Sequence, residues 1–159
     1  MVVDLDRLVD NRGFFARSFC IDEFRQHGID DVAIVQCNTS YNRTEGTVRG
    51  MHYQSFPCEE SKVVCCNKGA MYDVVLDLRA GSATYGKWIS AYLSDKNFRG
   101  IYIPKGCAHG YQTLVPDTVV MYMVTVSYSA EHSCTVSYKN YNIPWPLPVS
   151  VISVRDAQA

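Results

Sequence analysis

Charge is scarce and mixed in this chain. Only 19% of its 159 residues are Asp, Glu, Lys or Arg, the net charge is −1, and no run of like charges occurs. This balance excludes a general nucleic-acid binder or a membrane-surface protein, both of which need a face of one sign. Any anionic ligand must be held by a few local cations. Long apolar runs are also missing, and no segment approaches the roughly 20 residues that a membrane helix requires. Three acids and two arginines among the first dozen residues argue against a secretory leader. Neither a Cys-x-x-Cys nor a His-x-His pair occurs, so a zinc site is not expected. The seven cysteines are odd in number and lack bridging spacings, which predicts free thiols in a reducing cytoplasm.

Apolar residues make up 47% of the sequence, enough for a buried core at this length. They fall in short β-branched or aromatic segments separated by Gly, Pro, Asn and Asp, the pattern of a β sandwich or barrel. The pattern predicts strands near 32–38, 47–54, 62–67, 70–79, 87–93, 100–103, 109–114, 118–127 and 133–138. In the run from Ala70, Tyr72, Val74, Leu76 and Leu78 share one face and Asp73 and Asp77 the other, which predicts a half-buried strand. The run 118–126 is apolar on both faces and predicts a covered, central strand. One short N-terminal helix is expected, capped by Ser18, running through Ile21 to Phe24 and stopped by Gly28. Three prolines between Ile143 and Pro148 exclude regular structure and predict an ordered coil held by Trp145. With no repeat, low-complexity tract or linker, residues 1–159 are expected to form one domain.

Four patches place polar residues where a β core would prefer apolar ones. They are Gln36 to Ser40, Arg49 to Gln54, Lys62 at the head of an apolar strand, and the Pro104 to Tyr111 turn with His109 among small residues. Taken singly, each has an ordinary structural explanation. A lone sheet histidine is usually a satisfied structural residue, Lys62 would snorkel, and Gln36 and Asn38 would sit on a solvated face. Unrelated structural causes rarely produce all four.

Together these patches resemble the dTDP-4-dehydrorhamnose 3,5-epimerase family. The matching motifs are Asp10-Asn11-Arg12-Gly13-Phe14, Gln36 to Ser40, Arg49 to Gln54, Lys62, Asp73 to Arg79, and Pro104 to Gly110. Tyr122, Tyr128, the Trp145-Pro146 pair and Ser153-Val154-Arg155-Asp156 follow in the family's order. The resemblance implies an all-β, cupin-like jelly-roll barrel or sandwich. It implies an isomerase that inverts C3, C5 or both in a nucleotide-linked 4-keto-6-deoxyhexose, with no cofactor. In that chemistry a base removes a proton acidified by the ketone, a cation stabilises the enolate oxygen, and an acid returns a proton to the other face.

By resemblance His52 is the base, Asp156 its partner with Asp73 as the fallback, Lys62 the oxyanion stabiliser and Tyr122 the acid. Arg12, Gln36, Asn38, Arg49, His109, Glu131 and Arg155 are the expected substrate ligands, with Arg12 and Arg49 serving the diphosphate through bidentate contacts. Phe15 or Tyr111 would pack on the base. A homodimer is expected, with the nucleotide-diphosphate sugar as partner and neither nucleic acid nor membrane involved.

Three departures from the family pattern stand out. Arg17 occupies a position where the family carries glutamate near the nucleotide, which opens CDP- or GDP-linked sugars as alternatives. The segment after Tyr128 is two residues shorter. The first strand is incomplete and the chain stops at Ala159, which predicts a weaker dimer. Competing readings are a monofunctional 3- or 5-epimerase, a nucleotide-sugar binding module without activity, and a metal-dependent cupin enzyme. The last lacks the paired histidines that such barrels use.

Overall fold

The computed structural model describes all residues 1–159. An N-terminal arm carries β1 (Val2–Val3), β2 (Arg7–Asp10), β3 (Gly13–Ala16) and α1 (Ile21–Gln26). The body follows as β4 (Gln36–Asn42), β5 (Thr47–Gln54), β6 (Lys62–Lys68), β7 (Ala70–Asp77), β8 (Trp88–Ser94), β9 (Gly100–Ile103), β10 (Cys107–Thr113) and β11 (Thr118–Val124). The chain closes with β12 (Ser133–Thr135), a 3₁₀ turn at Tyr138–Tyr141, β13 (Val151–Ile152) and α2 (Val154–Ala157).

Two antiparallel sheets face each other. One has the order β1-β9-β6-β11-β4; the other has β12-β5-β10-β7-β8, with β13 joined in parallel to β5. Alternation along the strands sends one set of side chains between the sheets. There, Val64 and Cys66 of β6, Met71 and Val75 of β7, Leu93 of β8, Ile101 and Ile103 of β9, and Val120 of β11 form the largest buried cluster. This is the cupin-like jelly-roll arrangement, with an apolar plug filling one part of the interior and a polar cleft opening from the rest. Cys66 points into the plug and Cys65 away from it, as neighbours on a strand must. All seven cysteines are free thiols.

Several expectations need correction. β4 begins at Gln36 rather than near residue 32, and Val32 is instead a fully buried loop residue packed against Phe24 of α1. Ser18 does not cap α1; the cap position is Cys20, which makes no side-chain cap bond, so the helix rests on burial of Phe24. Gly28, with φ +76°, does end it. The helix is not alone, since α2 and the 3₁₀ turn were not foreseen, nor were the two-residue strands or the β2–β3 hairpin. β7 is buried on both faces rather than half-buried. Its Asp73 face lies inside the barrel, and its Tyr72, Val74 and Leu76 face is roofed by Ile143, Tyr138 and Trp145. The roof is the expected ordered coil, pinned where the Gln112 side-chain amide both donates to the Leu147 carbonyl and accepts from its N–H. β11 is an inner strand between β6 and β4, as its two apolar faces predicted.

Glycine is required where β5 and β10 touch. Gly50 has φ +123°, and a Cβ there would lie 2.5 Å from the Gly110 Cα and 2.7 Å from the His109 carbonyl oxygen. A Cβ on Gly110 would meet the Met51 sulfur at 2.7 Å and the Arg49 carbonyl oxygen at 2.9 Å. Only two facing glycines let the backbones approach this closely, beside the irregularity that breaks the register between His109 and Tyr111.

Candidate active site

The cleft between the sheets encloses about 510 Å³, within the range of small-molecule sites. Arg49 and His52 of β5 with His109 and Tyr111 of β10 form one wall. Gln36, Asn38 and Ser40 of β4, Lys62 of β6, and Tyr122 and Val124 of β11 form the other. Register explains the clustering. His52 pairs directly with His109 across the β5–β10 ladder, Tyr122 with Asn38 across β11–β4, and Lys62 with Val124 across β6–β11. Lys62, His109 and Tyr122 each share a strand face with plug residues, namely Val64, Cys107 and Val120 two positions away.

His52 Nε2 lies 2.7 Å from Asp156 Oδ1, and the other carboxylate oxygen accepts the Gly50 N–H at 3.1 Å. Parallel pairing of β13 with β5 carries α2 behind the histidine. There the Ser153 hydroxyl accepts the Asp156 N–H and fixes the helix start. Asp156 is 3% exposed. A carboxylate can only accept, so it selects the tautomer with the proton on Nε2 and leaves the Nδ1 lone pair free. Burial lowers the His52 pKa below 6.5, Asp156 opposes that shift, and His109 and Lys62 add to it. The imidazole is therefore neutral at pH 7, as a base must be.

A second dyad lies deeper. His109 Nε2 meets Asp73 Oδ2 at 2.7 Å with both side chains buried, so Asp73 serves His109 rather than His52. The Lys62 ammonium, also buried, pairs with Glu60 at 2.7 Å, and the Glu60 carboxylate receives the Gln54 amide at 3.3 Å. Burial, followed by the neighbouring Tyr111, raises the Tyr122 pKa well above 10. The phenol thus stays protonated and ready to donate.

Other expected ligands fall in different places. Arg49 Nε donates to Asn42 Oδ1 at 2.8 Å, and Gln36 donates to Asn38 at 2.9 Å. Arg155 lines an adjoining pocket of about 240 Å³ with His52, Gln54, Glu60 and Tyr128, and it binds Ser133. Arg12 does not reach the cleft of its own chain. It sits on the β2–β3 hairpin, with 86% of its side chain exposed, and pairs with Asp10. Glu131 is exposed on a turn and lines neither pocket. Phe15 lies on the N-terminal arm, 71% exposed, while Tyr111 is inside the cleft. Glu60 was missed by sequence reading. Its only signal is its position two residues before Lys62, in a loop where alternation does not apply. No group of three or more His, Cys, Asp and Glu side chains converges as metal ligands would.

The arrangement suits proton transfer on carbon. A neutral histidine oriented by a carboxylate stands on one wall, and a protonated tyrosine and an ammonium stand on the other. A carbonyl compound between them is placed to lose a proton to one side and gain one from the other. Fold and site define a β-barrel enzyme of acid–base proton transfer at carbon, and the comparisons give the family. The family model for dTDP-4-dehydrorhamnose 3,5-epimerase matches residues 1–159. A dTDP-4-dehydrorhamnose 3,5-epimerase of Sinorhizobium fredii is 44% identical over 151 residues, covering 93% of this chain and 77% of that protein.

Two solved structures agree closely. The epimerase of Bacillus anthracis, with TDP and pyrophosphate bound, has a TM-score of 0.93 at 39% identity over 98% of this chain and 89% of that one. A dTDP-6-deoxy-D-glucose-3,5-epimerase of Legionella pneumophila, in complex with dTDP-4-keto-L-rhamnose, has a TM-score of 0.91 at 36% identity over 99% and 85%. The chain belongs to the dTDP-4-dehydrorhamnose 3,5-epimerase family of isomerases. No helix is long and apolar enough to cross a membrane.

Proposed function

We propose that this enzyme inverts both C3 and C5 of dTDP-4-keto-6-deoxyglucose through enolate intermediates. The observation that carries the reading is the placement of the His52–Asp156 dyad and Tyr122 on opposite walls of one cleft, with the buried Lys62 ammonium, held by Glu60, on the Tyr122 side. His52 Nδ1 takes the proton from carbon, and Asp156 stabilises the imidazolium. The electron pair moves onto the C4 oxygen, where Lys62 offsets the new charge. A single aimed donor of this kind is worth about 3–4 kcal/mol of barrier. Tyr122 then protonates the opposite face. In a gluco-configured ring the C3 and C5 hydrogens lie on the same face, so one base serves both.

Arg49, Gln36, Asn38 and His109 line the sugar and phosphate path, and Arg155 lies at its edge. Arg12 and Glu131 belong to the binding set only if another copy or a bound nucleotide draws them in. A homodimer supports that role for Arg12, since the hairpin exposes Leu8, Val9 and Phe15 by 67%, 77% and 71%. Arg17 pairs with Glu23 of α1, outside the cleft of its own chain, and the dTDP-linked substrates in the relatives' names support dTDP over CDP or GDP. The two sheets share one interior, which supports reading residues 1–159 as one unit. The seven free thiols support a cytoplasmic location.

The test is incubation in D₂O with dTDP-4-keto-6-deoxyglucose formed in place by its dehydratase, read by mass and NMR. Deuterium at C3 and C5 with the rhamno-configured ketone as product is expected. Label at one carbon makes the enzyme monofunctional. Absence of label with dTDP-, CDP- and GDP-linked sugars alike overturns the assignment in favour of a binding module.

A further inference from the structure

Glu60 is the only carboxylate among the 13 residues that line the cleft. An acid there opposes a bound diphosphate, so its presence calls for a reason. It is a built feature rather than a stray side chain, with only 13% of the side chain exposed. One carboxylate oxygen lies 2.7 Å from the Lys62 ammonium, and the other receives the Gln54 amide at 3.3 Å. Gln54, itself 4% exposed, also donates to the Cys58 carbonyl at 3.0 Å and accepts the Ser129 N–H at 2.6 Å. It shares a face of β5 with His52, so one strand places both the base and the clamp on Glu60.

The lysine and the arginine of the cleft are not equivalent. Arg49 makes no ion pair. Its guanidinium donates to the Asn42 side-chain carbonyl at 2.8 Å and to the Tyr41 carbonyl at 3.4 Å, both neutral. Its full charge is available to phosphate oxygens. Lys62, by contrast, is matched by Glu60, and the pair carries no net charge. The ammonium still has N–H donors to spare, because it carries three and Glu60 does not take them all. A neutral oxygen can therefore accept from Lys62. A phosphate would meet the carboxylate as well as the ammonium, and the carboxylate repels it.

We propose that Glu60 determines which part of the substrate meets Lys62. By matching the Lys62 charge it denies that cation to phosphate and reserves it for the uncharged C4 ketone. The diphosphate is left with Arg49, and the nucleotide sugar lies in the cleft in one direction only. Without Glu60 the cleft would hold two unmatched cations, and the diphosphate could settle on either. A diphosphate on Lys62 would put phosphate where the sugar must react. Glu60 acts through Lys62 and is a specificity-determining residue, not a catalytic one. The inference rests on the role given above to Lys62.

The test is binding of inorganic phosphate to enzyme saturated with dTDP, which leaves the sugar part of the cleft open, read by phosphorus NMR. It is run at about pH 6, to favour the charged form of a buried lysine that has lost its partner. Glu60→Gln is nearly isosteric, and Glu60→Ala beside it removes the charge without setting an amide against Gln54. Both should bind phosphate about tenfold more tightly than wild type, or better, while Glu60→Asp, which keeps the charge, should stay near wild type. Adding Lys62→Met to Glu60→Gln should abolish the gain. Unchanged phosphate affinity in both charge-free variants would overturn the proposal. So would a gain that survives Lys62→Met, since the anion would then sit on another cation, or an equal gain in Glu60→Asp, which would mark a packing effect. Deuterium incorporation by the wild type is read separately: its absence would overturn the proposed reaction, whereas the phosphate result bears on Glu60 alone.

Discussion

Asp156→Asn is the most informative single substitution because the change is nearly isosteric and its consequence is electronic. Asp156 uses its two oxygens differently, one accepting the Gly50 N–H and the other facing His52 Nε2. An asparagine has one oxygen and one NH₂ group. The Gly50 N–H can only donate, so it claims the amide oxygen and turns the NH₂ toward His52. Nε2 must then accept, and the imidazole proton moves to Nδ1, the atom that should take a proton from the substrate. The reverse orientation would leave the buried NH₂ against the Gly50 N–H, two donors face to face, at a cost of about 1–3 kcal/mol. That penalty favours the inactive tautomer by roughly tenfold to a hundredfold. Loss of carboxylate stabilisation of the imidazolium adds to it. In hydrolase triads the same substitution lowers kcat by about 10⁴ through the wrong tautomer, and a loss of roughly 10³–10⁴ is expected here. The assay is deuterium incorporation at pH 7, with nucleotide-sugar affinity and melting temperature measured on the same sample. Binding should persist with little change. A kcat within threefold of wild type would refute the assignment of the dyad.

Three further outcomes are expected. Burial lowers the His52 pKa below 6.5, so kcat/KM should hold steady at neutral pH and fall only as acid protonates the base below that value; a limb centred above 6.5 would contradict a neutral buried base. Lys62→Met should reduce kcat by about 10²–10³ with a smaller effect on KM, and an equal rise in KM alone would show that Lys62 binds rather than stabilises the enolate. Gly50→Ala should destabilise the fold by several kcal/mol, because its Cβ would strike the β10 backbone at 2.5 Å and the backbone cannot yield as a side chain would; a melting temperature close to wild type would refute the close-approach argument.

Much of the architecture is legible along the chain. Alternation in β7 and the doubly apolar β11 follow from local rules, as does the prohibition on regular structure across the prolines near Trp145. So do the polar intrusions at Gln36, Arg49, Lys62 and His109, because a β strand that must be buried does not carry such groups without reason. Local rules fail where partners are distant. Alternation marks Asp73 as polar-facing but cannot say that this face looks inward onto His109, since inside and outside are defined only when two sheets close on each other. Short pieces such as β13 and α2 have too few residues for any periodicity, and they form because β5 offers an edge to pair with.

The sequence by itself determined the class of fold and the kinds of group available for chemistry, because strand alternation and side-chain type are properties of single segments. Only the tertiary structure decided which carboxylate serves which histidine, that Glu60 holds Lys62, and that Arg12 and Glu131 lie outside the cleft of their own chain. These pairings join residues as far apart as 104 positions, as His52 and Asp156 are. Their geometry is set by sheet register and closure, which no local stretch of chain contains.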